Sequence, residues 1–293
     1  MARAPRRRAL PPRISVGHRR RASFSRSPFL PRPFPAVSAS SIVVGLDSST
    51  ESLSVALDLG DAGVLQRIEE GGARASQRML PLLAELLAQA GRSLRDVALI
   101  GFGAGPGAFT GVRAACAAAQ GLGHGLGCPV VGVSTLLALA AGCVEAQEAA
   151  GRPVLVANDA RMGEIYWAVA EALAPARGDP QPHWRLQEPA RVQPARDAAA
   201  AWRLRFGVGM PAPWLCGSAW GAHAQSLREG LGAGWADAVQ RVRAGVPQAS
   251  AVARLARQEH ARGHSIEALQ ARPFYVRDKV ALTTAERAQG ARG

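Results

Sequence analysis

The pattern of apolar and polar residues predicts alternating strands and helices from Ile42 onward. The apolar run over residues 42–47 is followed, after a polar turn, by alternating apolar residues over 53–59, which predicts a β-hairpin. Helical spacing of apolar residues then predicts a helix over about 76–90, with Ser76 as its N-cap and Gly91 as its C-cap. Its apolar side chains span an arc of roughly 160° at 100° per residue, wider than one core contact needs. Either a second partner or a position between two core elements would explain this arc.

The following segments continue the alternation. A short buried strand over 97–103 leads into the glycine-rich loop 103–111, and a helix of small residues extends to about residue 127. Strand, helix and two further strands follow up to about residue 172, which is typical of an α/β sheet domain. From about Leu173 the chain becomes rich in Pro, Arg and Ala, and we interpret the remainder as a second, smaller lobe.

Composition excludes several classes of protein. Over 293 residues the chain is 48% apolar, which is too apolar for a wholly disordered protein. Its four Cys show no C-x-x-C pairing and no density typical of a secreted scaffold, which favours a reducing cytoplasm. We find no secretory signal and no apolar stretch of about 18 residues that could cross a membrane.

Most of the net positive charge lies in the first forty residues. The whole chain carries 35 basic and 22 acidic residues, but residues 1–40 hold ten Arg and no acid, so the remaining 253 positions have a net charge of +3. Residues 1–40 are therefore predicted to be a disordered basic tail. An RNA-attracting arm, a transit peptide and a start site assigned too far upstream are the three interpretations of this tail.

Two segments have the composition of phosphate-binding turns. Asp47, Ser48 and Thr50 occupy the turn of the first hairpin, where hydroxyls could hold a phosphate oxygen and the carboxylate a hydrated metal ion. Gly105 and Gly107 belong to the loop before a helix, where backbone N–H groups can approach an anion. The loop matches neither a Walker motif nor a dinucleotide motif, and Ser49 stands where a phosphate turn favours glycine. Asp47 and Thr50 therefore fit the roles of turn and cap residues better than those of an active ATP site.

No catalytic constellation emerges from the remaining polar residues. His260 and His264 have the i, i+4 spacing of a helical metal pair, but no third ligand accompanies them. Ser218 has no His or acidic partner at a recognisable spacing, so a nucleophilic triad is not supported. The densest polar cluster, over residues 159–166, is either a structural turn or a surface that faces a cleft between lobes.

Several of these segments together resemble the bacterial TsaB (YeaZ) family. The resemblance rests on IVVGLDSSTESLSVAL, GAGPGAFTGVR, GVSTL, NDARMGEIYWA and the closing RPFYVRDKVAL, which occur in order over residues 42–282. It implies a two-lobed actin-like ATPase (ASKHA) fold with a reduced C-terminal lobe. The expected divisions are a tail over 1–40, an N-terminal lobe over 41–145, a C-terminal lobe over 146–282 and a polar tail over 283–293.

The resemblance also implies a function without catalysis. Proteins of this family are partners of the paralogue TsaD, which forms N6-threonylcarbamoyladenosine beside the anticodon of tRNAs reading ANN codons, and the ATPase TsaE joins the pair. We therefore expect a cytoplasmic subunit with no cofactor and no membrane contact, which meets tRNA through the complex. In TsaD-like paralogues a His-x-x-x-His pair follows the strand that corresponds to 130–133, and here Thr135 and Leu139 stand at those positions, so no metal is expected.

By the same resemblance, the first two helices pair with those of TsaD as a four-helix bundle. The predicted interface residues on these helices are Met79, Leu82, Leu83, Leu86, Arg113, Ala114, Ala118 and Leu122. The predicted degenerate nucleotide cleft consists of Asp47, Ser48, Thr50, Gly105 and Gly107. We expect Leu82→Asp or Ala118→Arg to abolish pairing without unfolding the chain, and the same face to drive homodimers when TsaD is absent.

Two other classes remain as alternatives. An active ATPase or small-molecule kinase would use Asp47 and Thr50, and calorimetry with ATP and magnesium would distinguish it from a scaffold. A metallopeptidase would require bound metal, which metal analysis would detect.

Overall fold

The first half of the chain folds into a five-stranded mixed sheet. In the computed structural model, which describes residues 34, 36–38, 40–175, 182–207 and 212–277, its spatial order is β3-β2-β1-β4-β5. The strands are β1 (Ile42–Asp47), β2 (Ser52–Asp58), β3 (Val64–Glu70), β4 (Val97–Gly105) and β5 (Val130–Ser134). β1 pairs antiparallel with β2 and parallel with β4, so the predicted hairpin is confirmed. The sequence pattern did not predict β3.

A second sheet follows in the chain. Its strands are β6 (Val154–Asp159), β7 (Glu164–Leu173), β8 (His183–Leu186), β9 (Arg191–Pro194) and β10 (Trp214–Cys216). They lie in the order β10-β6-β7-β8, and β9 pairs with the first part of β7. β6 and β7 form an antiparallel hairpin, which agrees with the two strands predicted up to residue 172, whereas β8 and β9 were not predicted.

Helices lie on both faces of these sheets. Their ranges are α1 (Ala75–Gln89), α2 (Phe109–Leu126), α3 (Thr135–Cys143), α4 (Ala146–Ala149), α5 (Ala195–Arg205), α6 (Ala219–Ala222), α7 (Ala224–Leu231), α8 (Ala236–Gln240) and α9 (Ala249–Ala261). The predicted cap at Ser76 is wrong, because Arg74 precedes the first turn of α1 and no side chain caps it. Gly91 does end the helix with a φ of 63°.

The residues from 34 to the end of the described chain stack as alternating helix and sheet layers. One face of the first sheet packs on α1 and α2, and its other face packs on α3 and α9. The second sheet covers the far side of α3, and its outer face carries α5, α6 and α7. Side chains in β1 alternate between the two cores, with Val44 facing α1 and α2 and Val43 facing α3 and α9.

Helix α9 lies very close to the first sheet. A β-carbon on Gly45 would lie 2.0 Å from the carbonyl oxygen of Ala249, and one on Gly101 would lie 2.6 Å from Cβ of Ala256. Helix α9, which falls within the predicted C-terminal lobe of residues 146–282, therefore belongs to the layer against the first sheet. Of the two predicted tails, the structure describes residues 34, 36–38 and 40, and the other tail residues lie outside the described chain. Within the described chain, no helix is long and apolar enough to cross a membrane.

Candidate functional site

A cleft of about 600 Å³ opens where the ends of β1, β4 and β6 meet. The turn between β1 and β2 and the glycine-rich loop before α2 form one side, and the β6–β7 hairpin forms the other. The last described segment crosses between them. Residues that line the cleft include Thr50, Glu51, Gly107, Phe109, Asp159, Arg161, Met162, Tyr166, Ser218, Phe274, Tyr275 and Arg277.

The β1–β2 turn packs directly against the glycine-rich loop. The backbone N–H of Ala108 donates a 2.7 Å hydrogen bond to the carbonyl oxygen of Ser49, and Ser48 Oγ donates a 2.8 Å bond to the carbonyl oxygen of Gly111. A β-carbon on Gly107 would lie 2.4 Å from the Ser49 carbonyl oxygen. Two groups that could have held a phosphate, the N–H of Ala108 and the hydroxyl of Ser48, are thus engaged in contacts between turn and loop.

Asp47 is buried beneath the turn rather than exposed in the cleft. Its side chain receives two hydrogen bonds at Oδ1, from the backbone N–H of Ser49 at 3.0 Å and from Ser49 Oγ at 2.8 Å. Oδ2 has no hydrogen-bond partner and lies 1.9 Å from the position that a β-carbon on Gly103 would take. Burial raises the pKa of Asp47 to about 7, although the two bonds from Ser49 oppose that rise. The side chain is therefore poorly placed to hold a metal ion in the cleft.

The structure brings only some of the predicted cleft residues to the cleft itself. Thr50 and Gly107 line it, whereas Asp47, Ser48 and Gly105 are buried behind its wall. Gly105 has a φ of 115°, and a β-carbon there would lie 2.8 Å from the carbonyl oxygen of Phe274. Glycine at position 105 thus permits the close approach of the C-terminal segment rather than the approach of an anion.

The polar cluster over residues 159–166 faces the cleft, which agrees with the second of the two interpretations drawn from the sequence. Arg161 and Met162 form the tip of the β6–β7 hairpin in the left-handed region, with φ of 64° and 57°. The guanidinium of Arg161 bonds the carboxylate of Glu51 across the cleft at 2.5 Å and that of Asp159 at 3.3 Å. On the same side, Arg277 bonds the carboxylate of Glu164 and so ties the C-terminal segment to the hairpin.

A His–Asp pair that the sequence did not reveal lies in the same wall. His223 Nε2 and Asp159 Oδ1 are 2.9 Å apart, although 64 positions separate them along the chain. Burial acts to raise the pKa of Asp159, but hydrogen bonds from His223 and from the backbone of Arg161 outweigh it and lower the pKa. Ser218 is nearby, yet its hydroxyl bonds Asn158 Oδ1 and the backbone N–H of Asp159. Among the described residues the serine is not bonded to the imidazole, so these groups do not form a nucleophilic triad.

The positions that correspond to a metal-binding His pair in the paralogues are occupied by core residues. Thr135 is fully buried and its hydroxyl donates a 2.5 Å bond to the carbonyl oxygen of Pro106, and Leu139 is fully buried among apolar side chains. In the part of the chain that the structure describes, no three His, Cys, Asp or Glu side chains are grouped so as to hold a metal ion. His260 and His264 bond different partners, Ser265 and Glu259.

The structure corrects the predicted interface on α1. Met79, Leu82, Leu83 and Leu86 are at most 1% exposed, because they pack into the core between the first sheet and α2. The wide apolar arc therefore belongs to the core of this chain, and these four residues cannot contact a partner in this conformation. Leu82→Asp would unfold the chain rather than test docking.

Small residues on α2, together with a different face of α1, remain open to solvent. On α2, Ala117 and Gly121 are exposed, whereas the predicted interface residues Ala114, Ala118 and Leu122 are half-buried. Gly121 has no atom within 4 Å of an added β-carbon. Arg113 instead stacks on Phe109 at 3.4 Å and donates a 2.9 Å bond to the hydroxyl of Tyr275, so it lies toward the C-terminal segment. We call the set Leu80, Pro81, Ala84, Ala88, Ala114, Ala117, Ala118 and Gly121 the helical face.

Comparisons with known proteins identify the family. The family model described as "TsaD: tRNA N6-adenosine threonylcarbamoyltransferase" matches residues 69–283. A protein of Haemophilus influenzae named tRNA threonylcarbamoyladenosine biosynthesis protein TsaB is 34% identical over 242 residues, covering 81% of this chain and 94% of that protein. This chain belongs to the TsaB (YeaZ) family. The TsaB of Escherichia coli K12 is 43% identical over a shorter stretch, which covers 43% of this chain and 53% of the relative.

Solved structures support the same assignment. A Pseudomonas aeruginosa structure, described as an uncharacterized protein with similarity to peptidase YEAZ, matches with a TM-score of 0.61 and 34% identity. The match covers 81% of this chain and all of that chain. Together with the two sheets and their helix layers, this likeness to TsaB (YeaZ) proteins shows that the chain has the actin-like, ASKHA-type fold.

Proposed function

We propose that this chain is a non-catalytic subunit in the biosynthesis of threonylcarbamoyladenosine in tRNA. Its TsaB relatives are named as proteins of that biosynthesis, and the match with one of them covers nearly the whole length of that relative. In this proposal a TsaD-type paralogue performs the transfer that forms N6-threonylcarbamoyladenosine beside the anticodon of tRNAs reading ANN codons. The chain makes that paralogue competent, the TsaE ATPase joins the pair, and tRNA is met through the complex.

The direct contact between turn and loop is the main support for a non-catalytic role. An actin-like ATPase holds phosphates with the groups of these two segments, but here the N–H of Ala108 is bonded to Ser49 and the hydroxyl of Ser48 to Gly111. The carboxylate of Asp47 is buried under the turn and faces Gly103. Binding a phosphate there would require these contacts to break.

The helical face supports a pairing role. Ala84 and Ala88 on α1 and Ala117 and Gly121 on α2 are exposed, and side chains this small allow helix axes to approach closely. Leu80, 48% exposed, supplies an apolar contact beside them. This face fits the paired helices of a related subunit, and it is also the face on which homodimers would form when TsaD is absent.

Size-exclusion chromatography of the full chain with a purified TsaD-type protein tests the pairing. We expect the unchanged chain to co-elute with TsaD, and Ala117→Arg and Ala118→Arg each to prevent co-elution by placing a long charged side chain on the helical face. Ala200→Arg is the matched control, because Ala200 is exposed on α5, the helix that packs on the second sheet. This variant should co-elute normally. Co-elution of all three variants would overturn the assignment of the interface.

Nucleoside mass spectrometry of tRNA tests the role in biosynthesis. Purified chain, TsaD and TsaE together, supplied with ATP and an activated threonylcarbamoyl donor, should form threonylcarbamoyladenosine in tRNA, and leaving out the chain should abolish the product. Formation of the modified nucleoside by the chain alone would show that it is itself the catalyst and would overturn the proposal.

An ATP-dependent enzyme is the second candidate, because the cleft of about 600 Å³ remains open beside Thr50, Glu51 and Asp159. Calorimetry of the isolated chain with ATP and magnesium discriminates between the two functions. We expect no binding at micromolar ATP. Tight, magnesium-dependent binding that Thr50→Val removes would favour the enzyme.

A further inference from the structure

Two arginines stack on one tryptophan at the edge of the second sheet, and a third arginine lies near one of them. Arg152 and Arg243 each place the guanidinium carbon 4.3 Å from the ring centre of Trp214, on β10. Arg241 lies close enough to Arg152 for its positive charge to act on that guanidinium. We call Arg152, Trp214, Arg241 and Arg243 the arginine patch.

The arginine patch is anchored by bonds to backbone carbonyls. Arg152 donates to the carbonyl oxygen of Ala212 at 2.5 Å, and Arg243 donates to that of Cys143 at 3.1 Å. The indole N–H of Trp214 donates to the carbonyl oxygen of Glu148 at 3.2 Å. These bonds hold the guanidinium groups in fixed positions, so a ligand would meet donors that are already arranged.

The positive charge of the patch exceeds the negative charge that is bonded to it. Among the described residues the carboxylate paired with these arginines is that of Glu148, 2.7 Å from Arg243. Burial, followed by the positive charges of Arg241 and Arg243, lowers the pKa of Arg152. Neighbouring guanidinium groups repel one another, and a bound anion would relieve that repulsion.

We infer that the arginine patch binds phosphate groups of an RNA backbone. Guanidinium forks match phosphate oxygens, and several such groups on one surface suit a chain of phosphates. Trp214 packs under two guanidinium groups and so serves as their platform, which favours a contact with the backbone over the stacking of a base. The inference rests on the proposed function, since tRNA is the polyanion that such a complex handles. It adds a direct contact between this chain and tRNA.

Binding of labelled tRNA to the full chain, measured at several salt concentrations, tests the inference. Arg152→Gln with Arg241→Gln removes two charges and leaves the Arg243–Glu148 pair in place. We expect the affinity for tRNA to fall several-fold and the slope of log K against log salt to decrease by about 2, one for each lost phosphate contact.

Arg185→Gln with Arg196→Gln is the matched control, because both arginines are exposed and the change in net charge is the same. It should lower affinity and slope by clearly less. The basic N-terminal tail is present in every variant and so cancels from the comparison. Unchanged thermal unfolding of both double variants confirms that they are folded.

Two further ligands identify what the patch recognises. Inorganic phosphate should compete for tRNA only at millimolar concentration, which indicates that several linked phosphates are bound. Competition by polyglutamate as effective as that by unlabelled tRNA would overturn an RNA-specific contact in favour of an acidic protein.

Equal effects of the two double variants on tRNA binding would also overturn the inference. If the proposed function alone fails, the patch variants still change tRNA binding while no modified nucleoside forms in the reconstituted system.

Discussion

Ser48 Oγ donates a 2.8 Å hydrogen bond to the carbonyl oxygen of Gly111, which joins the β1–β2 turn to the first turn of α2. A β-carbon on Gly111 would lie 1.7 Å from the carbonyl oxygen of Ser48, so only glycine permits this approach. We therefore expect Gly111→Ala to lower the free energy of unfolding by about 2–3 kcal/mol through overpacking against backbone. Thermal or urea unfolding of the isolated chain measures the change.

Gly121→Ala provides the matched control in the same helix. An added β-carbon at Gly121 meets no atom within 4 Å, so the substitution adds helix propensity without a clash. It should raise the free energy of unfolding by about 1 kcal/mol. If the two variants changed stability in the same direction, close packing between turn and loop would not explain the requirement for glycine at 111.

Asp47→Asn should stabilise the chain in a manner that depends on pH. Burial raises the pKa of Asp47 from 3.8 to about 7 in the folded chain, so its neutral form is favoured on folding. The stability that the neutral carboxyl contributes is fully present below pH 3.8. It is lost as pH rises to about 7, because the folded chain must then bury the charged carboxylate. The full shift corresponds to about 4 kcal/mol at most.

Thermal unfolding at several pH values checks this expectation. The gain in Tm of Asp47→Asn over the unchanged chain should be largest at pH 8 and should shrink steadily towards pH 5. Asp61→Asn, at an exposed carboxylate, is the control for the loss of one negative charge. A gain that is the same at pH 5 and pH 8 would contradict the burial of an ionisable Asp47.

The strands and helices that the sequence predicted are those with strong apolar patterns. β1, β2 and β4 are almost wholly buried, so their apolar character is visible in the sequence. β3 is an edge strand with mostly half-buried or exposed positions, and its polar residues hide its pairing with β2. β8 and β9 are only four residues long and leave too short a pattern to detect.

The candidate site was predictable only as far as local motifs allow. The turn around Asp47 and the loop around Gly107 were identified from composition, and the structure brings them together. The His223–Asp159 contact joins positions 64 residues apart, which no local spacing signals. On α1 the apolar arc correctly indicated burial on several sides, but periodicity does not tell a core partner from another protein. Exposed Leu80 beside Ala84 and Ala88 was the better signal of an outer face.

Loss of the Arg257 guanidinium should destabilise the fold. Its Nε lies 2.9 Å from Asp58 Oδ2, and the two side chains are 22% and 7% exposed. We expect Arg257→Met to cost about 2–3 kcal/mol of unfolding free energy, because it leaves the buried carboxylate of Asp58 without its ionic partner. Urea unfolding measures the loss, and Arg257→Met with Asp58→Asn should recover part of it.

The matched control for this pair lies on the second sheet. Arg185 is 61% exposed and bonds Glu171 at 2.6 Å, so Arg185→Met should change the unfolding free energy by less than about 1 kcal/mol. Equal losses for Arg257→Met and Arg185→Met would show that burial of the Arg257–Asp58 pair has no influence on its contribution.

Arg257 also determines where the N-terminal segment can be trimmed. Its two terminal nitrogens donate 2.9 Å bonds to the carbonyl oxygens of Ser38 and Ser41, just before β1. A chain that begins at residue 34 retains both acceptors and should keep its Tm within about 1 °C. A chain that begins at residue 42 loses both bonds, and at about 1 kcal/mol for each its Tm should fall by several degrees. In an Arg257→Met background the two truncated chains should instead unfold at nearly the same temperature. A difference between them as large as that in the unchanged background would show that residues 34–41 stabilise the fold through contacts other than those with Arg257.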